Sequence, residues 1–449
     1  MYLLHCRYVD WKTCEIRTGH LHLTEGPEGG IEFLDELPEA GGANSGARNS
    51  AGASSTSRTR EDATPQDSGR ADANSAEQRI DCRGRIVTRA FAVGHHHLYS
   101  ALARGMPAPA EPPQTFVQIL ERIWWKLDQR LDESMIRASA MVGAMEAVRC
   151  GSTWIVDHRL PTCGQESLHI IAAALEGSWA SHLLCYELSD RDGPDCLAAG
   201  LEETERYLET HPGLVGLHAS FTVSDSLLAR AVDLARRRKT GIHIHVAEAL
   251  SDQEDAEARF GRRGVERLAD AGALDLSPTL LVHCLHLTDE ERELIRNSAA
   301  WVVHNPESNQ NNGVGRFDPR GLGDRILLGT DGMHSDMLSS CRAAFLEGTD
   351  LSPADAYHRL RRVHDYLETH GFARAEEGDL VVLDYDSPTP ITSENWPGHL
   401  VYGIRSHHVH TVISRGRVVV EAGRIVTVDA ERELAIAREQ ATRLWEKLR

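Results

Sequence analysis

Phe91-Ala92-Val93-Gly94-His95-His96-His97 is a short apolar run that ends in three histidines, and its reading decides the fold. Successive side chains of a strand point to opposite faces, so His95 and His97 share one face and His96 points away. Three later stretches repeat the pattern of an apolar run that ends in a polar, metal-binding residue type. They are Ile242-His243-Ile244-His245-Val246-Ala247-Glu248, Leu280-Leu281-Val282-His283, and Ile326-Leu327-Leu328-Gly329-Thr330-Asp331. Two imidazoles on one face, joined by a third and a carboxylate from elsewhere, leave a metal position open for water. That arrangement belongs to catalytic rather than structural sites.

Outward from these stretches, short apolar runs alternate with longer amphipathic ones. The predicted strands are Phe91–His95, Trp154–Asp157, His182–Tyr186, Val215–His218, Ile242–Val246, Leu280–His283, Trp301–His304 and Ile326–Thr330. Helical periodicity fills the gaps, as in Phe116–Leu131, Leu227–Arg238 and Asp289–Arg296. Eight strand–helix units predict an α/β protein built on a closed (β/α)8 TIM barrel over residues 89–374, with its chemistry at the C-terminal ends of the strands.

Both chain ends read differently. Residues 1–88 and 375–430 show strand alternation and Gly-containing turns, and together they predict a small composite β-sandwich. Within the first of these, 41–78 is Ser, Ala, Gly, Asn, Asp and Arg with almost nothing to bury, and is expected to be a disordered surface insertion. Residues 431–449 predict a closing helix.

The formal net charge of −19 excludes a protein that binds nucleic acid by neutralising its backbone. No apolar run approaches membrane-spanning length, and no secretory signal is visible at the start. The nine cysteines are scattered without a Cys-x-x-Cys pair, which predicts reduced thiols and a cytoplasmic protein.

Within the site, His95 and His97 read as metal ligands. Alternation puts His243 and His245 on one face, so spacing alone leaves the third ligand open. Glu248 chooses His245, because a carboxylate three residues on can reach back over a metal-held water and shuttle a proton. His283 is expected to contact the attacking water. Asp331 leaves an apolar strand, where an unpaired charge is costly, and so needs a metal or proton partner. The softer features read as structure. Trp124-Trp125 belongs to the core face of its helix. Asn305 to Asn309 stabilises a loop, with Asn309 a candidate substrate contact.

At these residues the chain resembles the amidohydrolase superfamily, in its metal-dependent deaminase/chlorohydrolase branch. The motif forms are His95-His96-His97-Leu98, His245-Val246-Ala247-Glu248, His283-Cys284 and Gly329-Thr330-Asp331-Gly332. A closer resemblance is to the aminohydrolase group associated with selenium metabolism. It runs through His96 to Pro107, Trp124 to Asp128, Tyr186 to Gly193 and Gly216 to Ser224.

The resemblance implies one divalent ion, zinc or alternatively iron, held by His95, His97, His245 and Asp331. It implies proton shuttling by Glu248, water or oxyanion contact by His283, and substrate contact by His218. Two-metal relatives use a carboxylated lysine on the fourth strand. The lysines here are Lys12, Lys126, Lys239 and Lys447, none of them in Val215–His218. The chain departs from the branch with Arg89-Ala90 before the first strand, a glycine at position 94, and an extra histidine, His334. His334 and Arg191 are further candidates for the substrate pocket.

The expected activity is hydrolytic deamination of a small nitrogen heterocycle. The alternatives are dechlorination or dealkylamination by the same groups, or a metal-binding accessory protein without turnover. A homo-oligomer is compatible with the sequence.

Overall fold

The structure is a computed structural model that describes residues 1–24, 30–37, 78–159, 166–348, 351–374 and 378–449. The expected insertion 41–78 lies outside the described residues except for Gln78, and the expected boundary at 375 also lies outside them.

Eight parallel strands form the barrel: Phe91–His96, Ser152–Arg159, Ser181–Leu188, Val215–Ala219, Ile242–Val246, Leu280–His283, Trp301–His304 and Ile326–Leu328. All eight were legible as apolar runs. The ring closes between the last strand and the first, where Thr330 N–H donates to the His95 carbonyl at 2.9 Å and His97 N–H to the Asp331 carbonyl at 3.3 Å. A Cβ on Gly94 would meet the Leu328 carbonyl oxygen at 2.5 Å, so this close approach explains the glycine.

Alternation along the strands builds two apolar layers. Ile155, Leu184, Leu281 and Val302 pack under the surrounding helices, in one cluster with Leu168, Ile171 and Val232. Ala92, Val156, Leu183, Val282, Val303 and Leu327 pack together as the barrel's own core, joined by Tyr366 and Leu367 of the helix Pro353–Thr369. The helices start at polar caps. Ser224 accepts from Leu227 N–H at the start of Asp225–Arg238, and Thr288 with Glu291 forms a reciprocal cap on Asp289–Asn297.

Strands from both chain ends join in one nine-stranded sheet. Its junction is the pairing of Leu380–Leu383, antiparallel, with Ile86–Arg89, which in turn runs parallel beside Tyr2–Val9. Leu3, Leu21, Val87, Leu380, Val382 and Ile413 fill its apolar side. The final helix, Ala430–Lys447, lies on Glu133–Arg149 through Arg137–Glu433 at 3.0 Å and Lys447–Asp132 at 2.9 Å. Among the described residues no helix is long and apolar enough to cross a membrane. Among the described residues seven cysteines are free thiols, but Cys196 is disulfide-bonded, which corrects the expectation of reduced thiols throughout.

Candidate active site

The strand ends bring His95, His97, His245 and Asp331 together, with one ligand atom from each within 4.8 Å of the others. His97 Nε2 stands 3.2 Å from His245 Nε2 and 3.1 Å from Asp331 Oδ1, and His95 Nε2 is 3.3 Å from His245 Nε2. The opposite ring nitrogens are already committed. His97 Nδ1 donates to the His158 carbonyl at 2.6 Å, His245 Nδ1 to the His218 carbonyl at 2.8 Å, and His95 Nδ1 meets His243 Nε2 at 2.9 Å. These contacts orient the rings and turn the three Nε2 atoms toward one point. Three neutral nitrogens and a buried carboxylate are a donor set that fits a divalent cation of the zinc or iron class.

His245, and not His243, brings its Nε2 into this set. A register shift between this strand and its neighbour separates Ile244 from His245. His243 stays behind His95, with its other nitrogen 3.4 Å from Cys185 Sγ. His96 points away as alternation requires, and ties Asp331 O at 2.7 Å and Ser335 Oγ at 3.1 Å.

Burial holds His95 and His245 far below the ordinary imidazole range, the neutral form that a metal ligand needs. His97 differs. Burial works to lower it, but the Asp331 carboxylate pushes it up to about 9, so an incoming cation displaces a proton here. Burial likewise opposes the charge on Asp331, yet hydrogen bonds with His95 and His97 hold it well below the usual carboxylate range.

Glu248 and His283 flank this group. His283 Nε2 lies 3.4 Å from Glu248 Oε2 and 3.8 Å from Asp331 Oδ2. Asn309 Oδ1 sits 2.8 Å from His283 Nδ1, so Asn309 holds the ring, while Asn312 donates to Glu248 Oε1 at 3.3 Å. Burial raises the Glu248 carboxyl above its ordinary range, with His283 working against it, which suits a group that takes and returns a proton. Ala247, His283 and Asp331 all have positive φ, at 53°, 73° and 51°. Non-glycine residues rarely adopt it, and such strain collects at functional sites.

A cavity opens over these groups. His97, His218, His245, Glu248, His283 and Asp331 line its polar side, and Phe116, Leu120, Trp124, Trp125, Phe221 and Met333 its apolar side. Trp124 packs against the apolar core as expected, and Trp124 and Trp125 also form cavity wall. The helix through them contains a π-helical turn at Leu120–Trp124, an irregularity that often marks functional positions.

His218 lines the cavity wall, its Nδ1 2.6 Å from Thr222 Oγ1. Arg191 and His334, the other two expected substrate residues, do not line the cavity. Arg191 pairs with Asp128 at 2.7 Å and Asp192 at 2.9 Å behind Trp125, its guanidinium 4.9 Å from that ring. His334 pairs with Glu307 at 2.9 Å. In both cases a nearby carboxylate partners the side chain outside the cavity lining. The sequence reading missed Glu187, a fully buried wall residue from the third barrel strand. The signal was available: it is a carboxylate at the end of an apolar strand, as Asp331 is.

Residues 87–367 match the amidohydrolase family. The 5-methylthioadenosine/S-adenosylhomocysteine deaminase of Pelotomaculum thermopropionicum is 28% identical over 396 residues, 81% of this chain and 87% of that protein. An adenosine deaminase structure from Xanthomonas campestris with bound zinc superposes with a TM-score of 0.69 at 21% identity, covering 82% of this chain and 87% of the other. The zinc complex of atrazine chlorohydrolase from Arthrobacter aurescens gives 0.76 at 17% identity over 98% of this chain and 99% of the other.

Proposed function

The chain belongs to the amidohydrolase family, and from that premise we propose that it hydrolytically removes an amino group from a nitrogen heterocycle. The observation that carries this reading is the placement of Glu248 and His283 beside a four-donor metal set. A purely structural metal site has no use for a buried, proton-holding carboxylate at its open side. Deaminase names among the relatives support the reaction class, and the zinc of the related structures supports zinc, with iron as the alternative.

His95, His97, His245 and Asp331 would hold one divalent ion, which when bound would lower the pKa of water toward about 7 and so supply a nucleophile at neutral pH. Asp331 and His283 orient the attacking water. Glu248 takes one of its protons and passes it to the ring nitrogen beside the reacting carbon. The new C–O bond forms as the C–N π bond opens. Glu248 then carries the second proton to the amino group, the C–N bond breaks and ammonia leaves. Phe116, Leu120, Trp124 and Trp125 give the ring an apolar seat, and His218 contacts it at the edge.

The test is ammonia release from purines, pterins, pyrimidines and triazines by the metal-loaded protein. Ammonia from at least one ring is expected. Chloride release without ammonia would move the reading to dechlorination, and metal binding without turnover of any ring would reduce it to an accessory protein.

A further inference from the structure

Glu187 is the charged group that the mechanism leaves unused. It is fully buried and lines the same cavity as Glu248. Its polar neighbours are two ring nitrogens, His158 Nδ1 at 3.1 Å and His218 Nε2 at 3.7 Å. His158 Nε2 faces the His243 carbonyl at 3.2 Å on its other side. Two ring nitrogens fill only part of the acceptor capacity of a carboxylate, which has about four lone-pair positions, so a donor in the cavity can complete it.

A second metal is one candidate, since Glu187, His158 and His97 each bring a ligand atom within 4.8 Å of the others. His97 rules it out. Its Nδ1 is given to the His158 carbonyl and its Nε2 faces Asp331 and His245, so no lone pair remains. Two donors do not make a metal site. Substrate is what remains to complete the carboxylate.

Glu187 lies on the flank of the metal set formed by the second to fourth strands, whereas Glu248 lies on the flank formed by the fifth and sixth. It is also near enough to His97 to meet the reacting ring itself rather than a distant substituent. An acceptor-only group on that side requires a donor from the ring.

We propose that Glu187 is a specificity-determining residue that accepts a ring N–H, so that the substrate's reacting carbon is a cyclic guanidine flanked by two nitrogens. One nitrogen receives the proton from Glu248. The other already carries hydrogen and donates it to Glu187. The 2-amino-4-oxo rings of guanine, pterin and isocytosine have this form. In adenosine the carbon opposite the protonated nitrogen has no hydrogen to donate, and Glu187 would be left without that donor. This inference rests on the deaminase reading and deepens it.

The experiment compares guanine, pterin and isocytosine with adenosine and 5′-deoxyadenosine, using the metal-loaded full chain and ammonia release. Guanidine-type rings should win in kcat/KM by about 10²-fold or more, the scale on which a site built for a donor rejects its absence. Glu187→Gln should raise KM for those rings by about 10–10²-fold. Its metal content should be unchanged, and Glu187→Asp should recover part of the loss. A structural role would lower both substrate classes alike and leave their ratio intact.

Equal losses, or a wild-type preference for adenosine, would overturn the recognition role while the deaminase reading stands. Guanine binding to the metal-loaded Glu248→Gln protein, measured by calorimetry with and without Glu187→Gln, separates the other case. Glu187-dependent binding with no ammonia from any ring would sink the deaminase reading and keep the recognition role. Neither binding nor turnover would end both.

Discussion

The floor and the rim of the barrel are made by the same eight strands, and they obey opposite rules. On the floor Ala92, Val156, Leu183, Val282, Val303 and Leu327 form a buried apolar layer with no polar side chain among them. At the rim His95, His97, His245 and His283 are just as buried, together with Asp331 and Glu248. The floor loses water from apolar surface and gains stability from it. The rim has lost water from polar and charged groups, which is unfavourable until hydrogen bonds and a cation compensate. The positive φ of Ala247, His283 and Asp331 belongs to the rim as well. One lesson follows: the floor stabilises the scaffold on which the rim can hold strained, reactive groups.

The sharpest way to break this contrast is at the ligand set. His245→Ala removes an imidazole from the donor group and should abolish both metal binding and ammonia release, read by metal analysis and turnover. A variant that keeps stoichiometric metal would show that the set is wrongly drawn.

Next comes Glu248→Gln, which should keep metal and fold while losing at least about 10²–10⁴-fold in kcat, the usual worth of a positioned acid/base. Loss of the metal, or near wild-type turnover, would contradict the shuttle role.

Smaller still is Asn309→Ala. It frees His283 Nδ1 from its partner at 2.8 Å, and kcat should fall by about 10–10²-fold, as for outer partners of metal-site groups. Metal content and KM for a confirmed substrate should hold, so a change in metal content would place Asn309 within the metal's support instead.

The smallest effect on chemistry belongs to the floor. Leu327→Ala should cost about 2–5 kcal/mol of stability in urea unfolding, yet leave kcat within about twofold at a temperature where the protein is folded. A large fall in kcat with unchanged stability would erase the distinction between floor and rim.

Much of this was legible in the chain because two periods carry the information. Strand alternation separated His95 and His97 from His96, and the eight apolar runs marked the eight barrel strands within a few residues. His245 was reachable by argument only through Glu248, since alternation placed His243 on the same face. Glu187 was passed over although its pattern matched that of Asp331. A carboxylate at a strand end says that it needs a partner, but the chain does not say which partner is near.

Other placements depended on groups brought in from elsewhere. Arg191 and His334 were expected at the substrate, and neither lines the cavity: Arg191 pairs with Asp128 and Asp192, and His334 with Glu307. Trp124 packs against the core, and with Trp125 it also lines the cavity, where their helix carries a π-helical turn.

By itself, then, the sequence determined the barrel, the composite terminal sheet and the residue types of the metal set, because local periodicity and residue chemistry are carried by near neighbours along the chain. Only the tertiary structure decided which histidine nitrogens face one another in the donor set, which charges are paired, and which further carboxylate lies on the cavity wall. Those outcomes depend on groups brought together from distant strands. Coulomb and hydrogen-bond energies depend on separation and direction in space, and residue spacing along the chain sets neither.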